Sequence, residues 1–221
     1  MNFSKYSHFS EENLTFVQDI QKSGAVKAVQ SDYSFIESSR RYCAPESADR
    51  IRQDLRGKPR EAVHMLGSGD YHYVSLFRAE SFRQDFYLIL FDNHSDDQAE
   101  AFCEELLSCG GWVRRVRSLD RCKGDVWIRT VRDAGRLDSI PDASAVFLSI
   151  DLDVLSPLWA DTDWDQGEMS LSELLSEVQG IASRFRLLGA DICGRSPSSL
   201  AEDSPLNEKA RESLMQIFDR L

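Results

Sequence analysis

Three short motifs in this chain could do chemistry: Gly69-Asp70-Tyr71-His72, Asp92-Asn93-His94-Ser95-Asp96 and Asp151-Leu152-Asp153. Carboxylates with one or two imidazoles suit borderline-hard divalent ions, Mn first, with Zn or Mg as alternatives. Together the motifs offer more donors than one ion takes, which points to two ions. The second motif follows the apolar run Phe86 to Phe91 and the third follows Ala145 to Ile150. Such runs read as buried strands. Residues two apart on an extended chain point the same way, so Asp92, His94 and Asp96 should converge, as should Asp151 and Asp153. Taken singly, a DxD or DxHxD also arises where acids start turns or cap helices. Three such pieces at strand ends favour a metal site. His8, in a polar stretch, and His64, inside an apolar one, read as non-ligands.

The order GDxH, DxHxD and a strand ending in DxDxxxP (Ser149 to Pro157) resembles the arginase/agmatinase (ureohydrolase) superfamily, over Ala62 to Pro197. Gly189 to Pro197 is similar to that family's last core strand and its exit. The resemblance implies that His72, Asp92, His94, Asp96, Asp151 and Asp153 hold two Mn ions. It also implies a bridging hydroxide as nucleophile, held by Asp96, with Asp96 and His94 as the catalytic residues. The expected reaction is hydrolysis of a C–N bond in a small guanidine, amidine or amide.

Three departures narrow that expectation. The family pattern is GGDH, whereas Tyr71 intervenes here and puts His72 one position late. Where the family carries a carboxylate that grips a guanidinium, this chain has Gly194 followed by Arg195. The family's proton-shuttling histidine has no counterpart between Asp96 and Asp151, where the matching stretch reads Ser108-Cys109-Gly110-Gly111-Trp112. Neither arginine nor agmatine is therefore the expected substrate. Two other readings stay open: a single-Zn amide hydrolase resembling the histone-deacetylase branch, using Asp92, His94 and Asp151 or Asp153, and a non-catalytic metal-binding protein.

After the DxD, the acids Asp161, Asp163, Asp165 and Glu168 surround Trp164. This is either a solvated loop whose Ser170 or Ser172 caps the next helix, or a substrate wall. In the second case Trp164 offers a face, and Asp163 or Asp165 meets a cationic or amide group. Gln98 and Ser95 are further hydrogen-bonding candidates.

Composition bounds the class. The 221 residues, 42% hydrophobic and 29% charged, fit a single globular domain over 1–221 with a real core. A net charge of −11 argues against nucleic acid or anionic membrane as partner. A small-molecule substrate is expected instead. No apolar run approaches the roughly 20 residues of a membrane span. The amino terminus lacks a secretion signal's apolar region, so a cytoplasmic location is expected. Five cysteines without paired spacing do not read as a disulfide framework. Cys109 and Cys193, near strand ends, are either redox-sensitive thiols or small buried hydrophobes.

Positioning the motifs requires alternating elements. Helices are expected at Phe9–Ile20, Ser47–Leu55, from about Tyr73, at Asp97–Ser108, Leu171–Phe185 and Leu206–Leu221. Strands are expected at Ala62–Leu66, Phe86–Phe91, Trp112–Val116, Val126–Val131, Ala145 onward and Leu187–Ile192. Val26 to Arg41 is ambiguous. The alternation predicts an α/β fold of three layers, α/β/α, with a mainly parallel sheet that the resemblance makes arginase-like. Ligands should gather at the carboxyl ends of its strands. Residues 1–60 carry no usable motif and read as a cover for the sheet edge or an oligomer contact.

Overall fold

The computed structural model describes residues 28–99, 106–196 and 202–220. In chain order the strands are β1 (Ala28–Gln30), β2 (Tyr42–Cys43), β3 (Val63–Gly67), β4 (Phe86–Phe91), β5 (Leu107–Ser108), β6 (Cys122–Ile128), β7 (Ala145–Asp151) and β8 (Arg186–Cys193). The α-helices are α1 (Pro45–Leu55), α2 (Val74–Glu80), α3 (Trp112–Arg117), α4 (Leu171–Arg184) and α5 (Pro205–Phe218). Six strands pair in parallel in the order β1-β3-β8-β7-β4-β6, and β2 pairs antiparallel with β5 in a separate ribbon.

Why the sheet sits in the middle follows from its sequences. Every residue of β7, Ala-Val-Phe-Leu-Ser-Ile-Asp, is buried, as expected of a strand covered on both faces. Its alternate side chains divide between two cores. Val146, Leu148 and Ile150 pack with Leu174 and Val178 of α4 and Leu214 of α5. Phe147 packs with Ile51 of α1, Phe77 of α2 and Trp112 of α3. In α4 the buried Leu171, Leu174, Val178 and Ile181 make one apolar stripe. Its start is fixed by a capping box, Ser170 receiving the Glu173 amide while the Glu173 carboxylate receives that of Ser170.

Some elements differ from the sequence expectation. Trp112–Val116 is a helix, not a strand. Trp112, Val113 and Val116 are buried while Arg114 is exposed, so the stretch has the helical period that its β-branched content obscures. The expected helix Asp97–Ser108 ends instead in strand β5, because Leu107 and Ser108 bond to Cys43 and Tyr42, a partner far away in sequence. Its middle, 100–105, lies outside the described residues, as does Phe9–Ile20. The ambiguous stretch Val26 to Arg41 supplies β1, which forms one edge of the sheet on β3. Among the described residues no helix is long and apolar enough to cross a membrane.

Candidate metal centre

Strands β8, β7 and β4 are neighbours, so the residues at their carboxyl ends meet. Asp151 closes β7 directly opposite Cys193, the last residue of β8. Asp92 follows β4, whose Phe91 is in register with Ile150. His72 reaches the same spot from the end of β3 through a single 3-10 turn, Gly69–Tyr71. That turn takes up the extra residue Tyr71, so the late position of His72 does not remove it from the group.

The six side chains singled out in the sequence come together. His72 Nδ1 lies 3.2 Å from Asp92 Oδ2, 3.1 Å from Asp96 Oδ2 and 3.6 Å from Asp151 Oδ2. His94 Nδ1 lies 2.8 Å from Asp153 Oδ2 and 3.4 Å from Asp92 Oδ1. Asp92 thus faces one imidazole with each oxygen. Two overlapping donor groups result, His72 with Asp92 and Asp96, and Asp92 with His94 and Asp153. A third, His72 with Asp151 and Cys193, adds a thiol from outside the three motifs. Asp70, in contrast, is buried away from the cluster and bonds to Arg40 Nε at 2.8 Å and Arg41 Nε at 2.9 Å.

Convergence comes from tight turns rather than from the extended alternation expected. Asp96 has φ of 46°, a left-handed conformation uncommon for any residue but glycine. The chain before it folds on its own carboxylates: the His94 amide donates to Asp92 Oδ1 at 2.6 Å, and the Asn93 amide to Asp153 Oδ1 at 3.0 Å. Asp153 sits in a 3-10 turn capped by Asp151 Oδ1.

Around the cluster, supports hold each donor. Trp112 Nε1 donates to Asp96 Oδ2 at 2.6 Å, and its ring packs on His72 with centroids 4.8 Å apart. His72 Nε2 meets Ser149 Oγ at 2.8 Å, which meets Ser75 Oγ at 3.3 Å, which donates to Asp191 Oδ2 at 2.8 Å. A carboxylate only accepts, so the hydroxyls donate towards Asp191 and Nε2–H of His72 starts the series. Nδ1 is then the nitrogen left facing the acids, the arrangement that fixes a ligating histidine. None of Trp112, Ser75, Ser149 and Asp191 was legible as a site residue. The only trace was Ser149 and Asp191 as polar residues inside apolar strands.

Electrostatics supports a cation here. Burial, then the Asp153 and Asp92 carboxylates, push Asp151 up to about 8. Burial and Asp92 push Asp153 up to about 6. Hydrogen bonds to Asp153 and Asp92 raise His94 to about 10. Burial opposes charge on His72, but Cys193, Asp92 and Asp96 outweigh it and its pKa rises well above the ordinary value. Buried acids this close resist ionising together unless positive charge joins them. Oxygen and imidazole donors at these separations fit divalent ions.

The cluster floors a cleft of about 260 Å³ whose mouth includes Arg41, Tyr42, Gln98, Ser108 and Trp164. Trp164 meets His94 edge to face at 5.7 Å and carries the Arg41 guanidinium 5.1 Å above its ring. Gly69 makes this approach possible, since a Cβ there would lie 2.8 Å from Asp151 Oδ2 and 3.1 Å from Trp164 Cδ1. Of the other loop acids, Asp163 accepts from Ser68 Oγ at 2.9 Å, while the exposed Asp165 gives its main-chain carbonyl to Asn93. Neither lines the cleft. Ser170 is the cap of α4.

Gly194 has φ of +95°, and a Cβ there would lie 2.8 Å from the Leu152 amide and 2.9 Å from Asp151 Oδ1. The place of the guanidinium-gripping carboxylate thus has no room for a side chain. Arg195 lines a different cleft, beside α5. Cys109 is buried and pushed up to about 12, and burial, then the Asp151 carboxylate, raise the Cys193 thiol as well.

No protein-family model matches the chain. It is 32% identical over 171 residues to an uncharacterized protein of Thermotoga maritima, a match spanning 72% of this chain and 68% of that one. Among solved structures it is similar to a hypothetical agmatinase from Burkholderia thailandensis (TM-score 0.58, 20% identity, 76% of this chain). It spans only 62% of that agmatinase chain. Formimidoylglutamase from Bacillus subtilis (TM-score 0.61, 17% identity, 79% of this chain and 67% of that one) is also similar. So is proclavaminate amidino hydrolase from Streptomyces clavuligerus (TM-score 0.60, 18% identity, 80% and 70%). The chain belongs to one family with the Thermotoga maritima protein, and its fold is that of the agmatinase, formimidoylglutamase and amidino hydrolase structures.

Proposed function

We propose that this chain is a metal-dependent hydrolase that cleaves a C–N bond in a small guanidine, amidine or amide compound. The observation that carries this reading is the meeting of His72, Asp92, His94, Asp96, Asp151 and Asp153 at the floor of one cleft. The neighbouring folds belong to hydrolases of that bond type, which supports it.

In this reading the six residues would hold two Mn ions. Such ions, when bound, supply Lewis acidity and bring the pKa of water from about 16 towards about 7. Asp96, pinned by Trp112, holds the attacking water by hydrogen bond. His94, a third exposed at the cleft floor, stands where substrate enters. Trp164 and Tyr42 form the walls, and Gln98 at the rim offers an amide. With Gly194 closed to any side chain, arginine and agmatine lack the carboxylate that would grip them.

Cys193 is the one observation favouring a different ion, because a thiol among the donors suits Zn better than Mn. Elemental analysis of chelator-treated, Mn-reloaded protein, with an Asp151→Ala/Asp153→Ala control, separates the readings. About two Mn per chain, lost in the control, supports the two-ion hydrolase and precedes a screen of guanidines, amidines and acylated amines. One Zn per chain moves the assignment to the single-metal amide hydrolase. No specific metal ends both.

A further inference from the structure

A second cleft, of about 430 Å³, lies where the chain enters β3, β4 and β6, at the edge of the sheet opposite the metal centre. Its lining holds six arginines and Lys58 against one carboxylate, Glu80. In a chain of net charge −11 this is a local reversal of sign, and concave surfaces of one sign concentrate counter-ions. Arg52 is satisfied by Glu80 and Lys58 by Asp54. Arg56, Arg60, Arg83 and Arg121 have no acidic partner among the described residues.

What turns a basic surface into a built site is Arg78. It is only 2% exposed. Its Nη2 donates to the carbonyls of Arg60 and Ala62, at 3.0 and 3.2 Å, and its Nε lies 3.4 Å from Asp191 Oδ1. Strand β8 makes space for it: a Cβ at Gly189 would lie 2.7 Å from Nη2. Yet Nη1 has no hydrogen-bond partner, and Nε has only the long ion pair with Asp191. A buried donor left unpaired is rare and destabilising. The fold therefore holds a guanidinium in place beneath a ring of unpaired guanidinium groups.

We propose that this cleft binds a small phosphoryl-bearing anion, with Arg78 at its floor and Arg60, Arg83 and Arg121 around it. Guanidinium groups approaching from several sides match the tetrahedral oxygens of a phosphoryl group, whereas one carboxylate is satisfied by a single fork. The cleft lies apart from the His72, Asp92 and Asp96 cluster, joined to it only through Asp191, which Arg78 meets and which ends the series from His72, and the proposal does not depend on the hydrolase reading.

The test is calorimetric titration of the chelator-treated full chain with pyrophosphate, with citrate as a carboxylate of comparable charge. The comparison is with Arg83→Ala/Arg121→Ala, both exposed positions outside any ion pair among the described residues. Saturable pyrophosphate binding, weakened about tenfold (~1.4 kcal/mol) in the variant with melting temperature and metal loading unchanged, is expected. Arginine-selective NMR adds a readout at the floor, where the Arg78 Nε–H signal should shift on addition of pyrophosphate. Citrate binding as tightly as pyrophosphate overturns the phosphoryl assignment. Absent binding, or binding unchanged in the variant, overturns the site.

Discussion

At the scale of single residues, the outcome rests on groups that do no chemistry themselves. Ser149 is a small residue inside a buried strand, yet its hydroxyl decides which nitrogen of His72 faces the acids. Ser149→Ala should weaken Mn binding by about 10–100-fold while leaving the fold intact, because only the orientation of one ligand is released. Metal titration of the two proteins side by side reads this directly, and equal affinities would mean that packing alone holds His72. His64 shows the opposite kind of histidine. It is 1% exposed, with Nδ1 on Ser31 and Nε2 on the Pro59 carbonyl. Burial, then Arg78, lower its pKa to about 3. A histidine depressed in the fold binds protons more readily when unfolded, so its contribution is present above about pH 6.5 and fades as pH falls. Between pH 7 and about pH 5 the chain should lose up to ~2 kcal/mol from this group. Denaturant melts of wild type and His64→Asn at the two pH values should show a flatter acid limb in the variant.

At the scale of elements, strand ends and the turns leaving them build the site. β4, β7 and β8 bring the backbone to one edge, and short turns aim the carboxylates inward. Gly194 is the tightest of these exits. Gly194→Ala should cost well over 1 kcal/mol, since it combines a left-handed φ with a clash against Leu152 main chain, and it should lower metal affinity by displacing Asp151. Thermal melts with and without Mn would show both effects. A Gly194→Glu change should fail to create arginase activity, because the added carboxylate has no space to occupy.

At the scale of the whole molecule, binding and folding are linked. The candidate metal centre joins segments from the ends of β3, β4, β7 and β8, so an ion bound there would crosslink most of the sheet. Free Mn at about a thousand times its dissociation constant should stabilise the fold by ~4 kcal/mol, visible as a higher melting temperature. Asp153→Asn should remove most of that gain. An equal Mn-dependent rise in both proteins would place the ion elsewhere.

How far the sequence alone went can be judged from particular residues. The apolar runs leading to Asp92 and Asp151 announced central strands, since a strand covered on both faces must be apolar throughout. The spacing of acids and histidines marked which side chains would meet, because polar groups at the ends of buried strands need a common purpose. The parallel α/β layering was readable for the same reason. What pairs with what was not. Leu107 bonds to Cys43, and Trp112 turns helical to hold Asp96, through contacts distant in sequence. The left-handed turn at Asp96, the Ser149–Ser75–Asp191 series and the unpartnered Nη1 of Arg78 belong to the same class. Hydrophobic pattern and residue type are local properties and can be read along the chain. Which nitrogen faces an ion, and which buried donor lacks a partner, depend on atoms that only tertiary packing brings together.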